Sequence, residues 1–279
     1  MPRVGDLLGQ LEMMRCWRPT VVVMLPAALF QLERNALARP EDFASLRVVC
    51  SGGDKAPEQL ATEFTAKTAL RIDELYGMTE IGLSHVNPSS GLVKPGSVGR
   101  VGPGYAAEVR NDSGDPVASG VEGRLWVKFP GTMPYYWNAP EATAAVYGAD
   151  GWFDTGDVMC VDAEGYYFCG RKKQIIVHDG SNIFPQEVED ALLVHDAVAL
   201  AGVIGIHDLV RGENVRAYVE LKAEVTPPTP TELIAFARQR VGYKAPEEIV
   251  FLDQMPLNPT GKVDRVSLER QATEGHQTR

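Results

Sequence analysis

Apolar positions change their spacing along the chain, and each spacing predicts a different kind of element. Residues 7–14 carry helical spacing, residues 21–25 form an unbroken apolar strand, and residues 27–38 return to helical spacing with Leu29, Leu32 and Ala36 on one face. The pattern then recurs. Residues 46–50 read as a second strand, Ser51-Gly52-Gly53 as its tight exit, residues 57–66 as a helix and residues 69–75 as a third strand. Continuous apolar strands separated by helices predict a parallel sheet covered on both faces. Such sheets bind ligands at the carboxyl ends of their strands, where Gly52-Gly53 and Tyr76-Gly77 fall.

From residue 88 to 169 the texture shifts to short strands between Gly-rich turns: 106–110, 123–128, and a hairpin over 159–169 that turns through Asp162-Ala163-Glu164-Gly165. This predicts antiparallel sheet or a small barrel. After Gly170-Arg171-Lys172-Lys173 come a strand at 174–177, a helix at 185–193, strands at 198–204 and 216–222, and a helix at 232–241. The last helix opens on Thr229-Pro230-Thr231-Glu232, a capping box with Pro at the first helical position. The expected fold class is therefore α/β with α+β. Residues 1–172 belong to a large domain (1–87 an α/β sheet portion, 88–170 a β-rich, barrel-like subdomain), and residues 173–279 form a small α+β domain.

Composition narrows the function classes. With 44% hydrophobic and 23% charged residues the chain is a folding one. The longest apolar run, 21–30, is interrupted by Pro26 and falls short of the ~20 residues a membrane span needs. The first residues lack the charged-then-apolar order of a secretion signal, which gives a cytoplasmic expectation. Cys16, Cys50, Cys160 and Cys169 form no CxxC pair and are expected as small core residues in a reducing compartment. The net charge is −10, with the acidic excess in both halves, so neither half offers a basic face for a nucleic acid.

Four segments combine glycine with charged or hydroxyl side chains. Ser51-Gly52-Gly53-Asp54 exposes backbone that can read a planar base, and equally makes an ordinary turn. Tyr76-Gly77-Met78-Thr79-Glu80 offers an aromatic face, a hydroxyl for a phosphate and a carboxylate for a hard cation; the plain alternative is a strand end with a buried Tyr. In Thr155-Gly156-Asp157, Asp157 can accept both hydroxyls of a ribose with Arg171 assisting; the alternative is a turn with a hydrated Asp. Lys262, on the Gly-containing loop 256–265, can reach a carboxylate or phosphate as a mobile charge, although a lone loop Lys is commonly solvent-exposed decoration.

The order and spacing of these four segments, from residue 21 to 265, resemble the adenylate-forming superfamily, which includes AMP-forming acyl-CoA synthetases. The resemblance implies nucleotide contacts from Gly52, Gly53, Asp54, Tyr76, Gly77, Thr79, Asp157, Arg171 and Lys262, with Tyr76 stacked on adenine. It also implies Mg²⁺ on Glu80, and catalytic roles for Thr79, Glu80 and Lys262. Lys173 becomes the hinge between domains, and Gly180, Ser181 and Asn182 the coenzyme A contacts of a mobile loop. Residues 21–29 resemble the segment bordering the carboxylate substrate. The implied reaction joins a carboxylic acid to coenzyme A through an acyl-adenylate, consuming ATP. No segment resembles the family's upstream phosphate loop. The expectation is therefore a C-terminal half, impaired in adenylation, that forms a homo-oligomer or takes the other half from a partner chain. The alternatives are a non-catalytic nucleotide-binding module or partner subunit of a split ligase, and an amino-acid adenylation domain.

Overall fold

The computed structural model describes residues 6–53, 55–56, 58–88, 93–223, 225–259 and 261–276. The chain separates into two compact units, Met1–Phe168 and Cys169–Arg279.

In the first unit, α1 (Leu7–Trp17), β1 (Val21–Met24), α2 (Pro26–Arg34), α3 (Pro40–Phe43), β2 (Val48–Gly52), α4 (Glu58–Thr68) and β3 (Ile72–Met78) follow one another. The strands β1, β2 and β3 are parallel, with Val22 beside Val49 and Val49 beside Ile72. That row faces a core of Leu11, Leu29, Leu32, Phe43, Leu60 and Phe64 drawn from the four helices. Here the expectation of a sheet covered on both faces is corrected. All four helices pack on the Val22–Val49 side, while Val21 and Val23 on the opposite face of β1 are 55% and 62% exposed. The cysteine expectation also changes, since Cys16 is exposed and the other three are only half-buried.

The sheet continues through β4 (Gly82–Val86), β5 (Ser97–Val101), β6 (Ala106–Arg110) and β7 (Gly123–Lys128). After the short α5 (Pro140–Ala144) come β8 (Phe153–Val161) and β9 (Tyr166–Arg171), which leads into the second unit. The order is β1-β2-β3-β4-β5-β9-β8-β7-β6, a single nine-stranded path. Among the described residues no ladder returns β6 to an earlier strand, so the β-rich part is an open extension of the first sheet and not a closed barrel. Its core is Tyr76, Ile81, Val98, Val109, Leu125, Val127, Phe153 and Met159.

The second unit holds β10 (Ile176–His178), β11 (Ser181–Ile183), α6 (Pro185–Leu193), β12 (Val198–Asp208), β13 (Gly212–Leu221), α7 (Pro230–Val241), β14 (Glu248–Leu252) and α8 (Arg265–His276). Long β13 is central, with β12 antiparallel on one side and β14 parallel on the other. One face of this sheet packs Val203, Val215, Ala217 and Val219 against Val188 and Leu192 of α6 and Leu233 of α7. The other packs Ile204 and Tyr218 against Leu268 of α8. The capping box closes as a reciprocal pair: the Glu232 amide donates to Thr229 Oγ1 at 3.2 Å and the Thr229 amide to Glu232 Oε2 at 2.7 Å.

Candidate functional site

Parallel pairing of Gly52 with Leu75 sets the Gly-Gly exit of β2 beside the end of β3, at the carboxyl edge of the parallel strands. Gly53 has φ +87°, a backbone state that disfavours any side chain, and a Cβ there would come within 2.9 Å of Leu25 Cδ2. The residue after β1 thus borders the glycine turn. Asp54 lies outside the described residues.

After β3 the chain reverses through Thr79-Glu80-Ile81 into β4, and the two strands are unusually close. A Cβ on Gly77 would collide with the carbonyl oxygen of Gly82, so only glycine permits this hairpin. The reversal is held from outside: Tyr105 Oη donates to the Ile81 carbonyl at 2.8 Å, the Met133 amide to the Glu80 carbonyl at 2.7 Å, and Tyr136 Oη to Glu80 Oε1 at 3.0 Å. Burial, and then the Glu80 carboxylate that its proton serves, raise the Tyr136 phenol above its ordinary value. Thr79 remains exposed on the same turn.

Asp157 reaches this place through an irregularity in β8. Trp126 of β7 pairs with Asp154 and Arg124 with Val158, so Leu125 alone faces Thr155, Gly156 and Asp157. Gly156, at φ +70°, makes the bulge possible, and Thr155 Oγ1 pins it by donating to the Leu125 carbonyl at 2.8 Å. The alternative of a turn with a hydrated Asp is not what the structure has: the segment is a bulge inside a strand. The bulge turns Asp157 into the interior, 2% exposed, where Tyr76 Oη donates to its Oδ2 at 2.7 Å. Two segments separated by 81 residues thus meet through a buried, charge-assisted hydrogen bond. Tyr76 is itself 8% exposed, so only a margin of its ring is open for stacking.

The remaining residues singled out in the sequence lie in the second unit. Arg171 ends β9 and Lys173 sits in the 3₁₀ turn Lys172–Gln174, both exposed. Asp179 and Gly180, at φ +48° and +75°, form the two-residue turn between β10 and β11, from which Ser181 and Asn182 follow. Nothing lies within 4 Å of a Cβ built on Gly180. Lys262 rides on a loop whose backbone is locally fixed. The Asn258 amide donates to the Lys262 carbonyl at 2.8 Å, and the Lys262 amide to Asn258 Oδ1 at 3.0 Å. Just beyond, Arg265 Nη2 donates to both oxygens of buried Glu189, at 2.7 and 2.6 Å.

A family model described as AMP-binding enzyme matches residues 2–137, and one described as AMP-binding enzyme C-terminal domain matches residues 187–262. The chain is a member of the AMP-binding enzyme family. It is 37% identical over 275 residues to the long-chain-fatty-acid–CoA ligase of Bacillus subtilis, covering 97% of this chain and 49% of that one. With the indoleacetate–CoA ligase of Aromatoleum aromaticum it shares 35% identity over 250 residues, 88% of this chain and 48% of the relative. The ATP-bound crystal structure of MatB from Rhodopseudomonas palustris superposes with a TM-score of 0.88 at 30% identity, over 95% of this chain and 53% of that one. The chain thus spans about half the length of the relatives it matches. No described helix is long and apolar enough to cross a membrane.

The donor set bears on a metal. Among the described residues no three His, Cys, Asp or Glu side chains converge. A magnesium ion that keeps its waters and takes phosphate oxygens from a nucleotide needs only one or two protein carboxylates. Glu80, with one oxygen already accepting from Tyr136, fits that requirement.

Three contributing groups escape a reading of the sequence: Tyr105, Met133 and Tyr136. Their roles depend on which strand or loop lies beside the Thr79–Ile81 reversal, and no local pattern encodes that.

Proposed function

We propose that the chain supplies the adenosine-binding and thioester-forming parts of an AMP-forming acyl-CoA ligase, joining a small-molecule carboxylic acid to coenzyme A. The observation that carries this reading is the Tyr76–Asp157 contact at the carboxyl ends of the parallel strands. It ties a buried carboxylate, able to accept both ribose hydroxyls, to Tyr76, the neighbour in sequence of the Leu75 that pairs with Gly52.

In this mechanism Asp157 orients the ribose, and Tyr76 holds Asp157 in one rotamer through Oδ2. Thr79, exposed on its clamped turn, donates to the α-phosphate. Glu80, fixed by Tyr136, would hold Mg²⁺, which when bound supplies neutralisation of phosphate charge. Lys262 brings a positive charge to the carboxylate and phosphate during adenylation. Its withdrawal would be a movement of the second unit about Lys173. The Asp179-Gly180 turn then approaches, with Gly180 leaving room for the pantetheine chain and Ser181 and Asn182 beside it. Arg171 assists at the ribose. Leu25 and Met24 give the acid an apolar boundary. A partner chain or second copy completes the parallel edge at β1, and the reaction is placed in the cytoplasm.

The test is calorimetric and enzymatic. AMP binds the chain, Asp157→Asn weakens it by roughly tenfold, as the loss of charge-assisted hydrogen bonds predicts, and presynthesised acyl-adenylate with coenzyme A yields thioester. In Gly180→Leu the thioester step is lost while AMP affinity stays. Absence of AMP binding, or an Asp157→Asn variant that binds as well as the parent, overturns the reading.

A further inference from the structure

His85 is fully buried in the first unit and the reaction outlined above does not use it. It stands directly across the β3–β4 ladder from Tyr76. The next pair is Gly77 with Leu83, so Ser84 is an extra residue in β4 without a cross-strand partner, and Ser84 and His85 both turn inward. The imidazole packs edge-to-face on both sides: its centroid is 5.5 Å from the Tyr76 ring at 69°, and 4.5 Å from the Tyr166 ring at 61°. Ser84 Oγ lies 2.9 Å from His85 Nδ1 and donates, at 3.5 Å, to the Tyr76 carbonyl. That assignment leaves the serine oxygen to accept from Nδ1–H, which fixes the tautomer. His85 Nε2 is buried with no hydrogen-bond partner among the described residues. Burial pushes His85 down to about 4 and keeps it neutral at physiological pH.

A phenol can hold a carboxylate in register only if its own ring is fixed in plane and tilt. The Tyr76 ring lies in a core that includes Ile81, Val98 and Leu125. The hydrogen bond at its tip goes to the group being positioned, and Gly77 beside it has no side chain to pack. Across the ladder a ring-to-ring contact comes from His85, itself backed by Tyr166 on β9.

We infer that His85 is a positioning residue for the nucleotide site: a neutral aromatic wedge between Tyr166 and Tyr76 that fixes the Tyr76 ring, and through its hydroxyl the ribose-reading rotamer of Asp157. This rests on the assignment of Asp157 to the ribose. His85 touches no ligand; its effect is on discrimination between a ribose that carries its hydroxyls and one that lacks them.

The experiment compares AMP with 2′,3′-dideoxy-AMP by titration calorimetry on the full chain, reading the ratio of affinities, which a general loss of folded protein does not move. The parent favours AMP by roughly tenfold. His85→Leu and Tyr76→Phe both bring the ratio near one, and His85→Phe, which keeps a wedge of similar shape, restores it. If His85→Leu loses its far-ultraviolet circular dichroism, His85→Gln, which retains a polar group beside Ser84 and removes the ring, decides in its place. A His85→Leu or His85→Gln variant that discriminates as the parent does overturns the proposal while leaving the Asp157 reading intact. A parent that shows no preference, or an Asp157→Asn variant that keeps it, removes the Asp157 reading and this proposal with it.

Discussion

At the scale of single residues, burial decides what the chemical groups can do. Asp157, exposed, would be one more hydrated carboxylate; at 2% exposure and hydrogen-bonded to Tyr76 it has a fixed direction. His85 shows the converse, a titratable group held neutral by its surroundings, and that has a measurable cost. Its ordinary value is 6.5 and burial lowers it to about 4. Above pH 6.5 it is neutral in both folded and unfolded chains. As the pH falls from 6.5 towards 4, the unfolded chain takes up the proton and the folded one does not, so stability is lost through that window and levels off below it. The loss amounts to on the order of 3 kcal/mol. Urea unfolding of the parent and of His85→Phe at a series of pH values checks this: the gap between them narrows or reverses in favour of the Phe variant as the pH drops. A constant gap from pH 7 to 4 contradicts a neutral buried imidazole.

At the scale of elements, irregularities matter more than regular structure. Residues 106–110 and 123–128 behave as their alternation predicts and form β6 and β7 with those bounds. The residues that bear on the site sit where the ladder breaks: Ser84 in β4, and Thr155-Gly156-Asp157 in β8. A bulge is legible in sequence only as an isolated glycine within a strand pattern, and its direction depends on the facing strand. Gly156→Ala tests the second bulge. A Cβ there meets nothing within 4 Å, so the cost comes from φ +70° alone and is about 1 kcal/mol in thermal unfolding. The expected functional effect is larger than the stability effect, because relaxing the bulge rotates Asp157 off Tyr76; AMP affinity falls in a protein that remains folded.

At the scale of the whole molecule, the two units are built on different principles. The second has a sheet covered by helices on both faces, and its Glu189–Arg265 pair ties α6 to the start of α8, just after the Lys262 loop. Burial raises Glu189 above the ordinary carboxylate range, against the pull of Arg265. In the first unit α1 to α4 pack on the Val22–Val49 side of the parallel strands, and the edge strand β1 presents Val21 and Val23. An exposed apolar edge strand is a template for pairing with another chain. Val23→Lys is therefore expected to reduce self-association in sedimentation velocity without changing the circular dichroism spectrum. An unchanged sedimentation profile, with the parent already monomeric, contradicts the edge-pairing expectation.

The sequence by itself determined the family, the α/β-then-α+β order, most helices to within a few residues, and the identity of Tyr76, Glu80, Asp157 and Lys262 as the groups to watch. Apolar period and short motifs are local properties, readable along one chain direction. Tertiary structure alone decided that Tyr76 and Asp157 meet, that Tyr136 takes one oxygen of Glu80, that His85 packs against Tyr76, and that Val21 and Val23 of β1 stay exposed. Each of these depends on register between segments far apart in the chain. Register is fixed by bulges, close glycine approaches and helix placement, which act between strands and leave no periodic trace within either one.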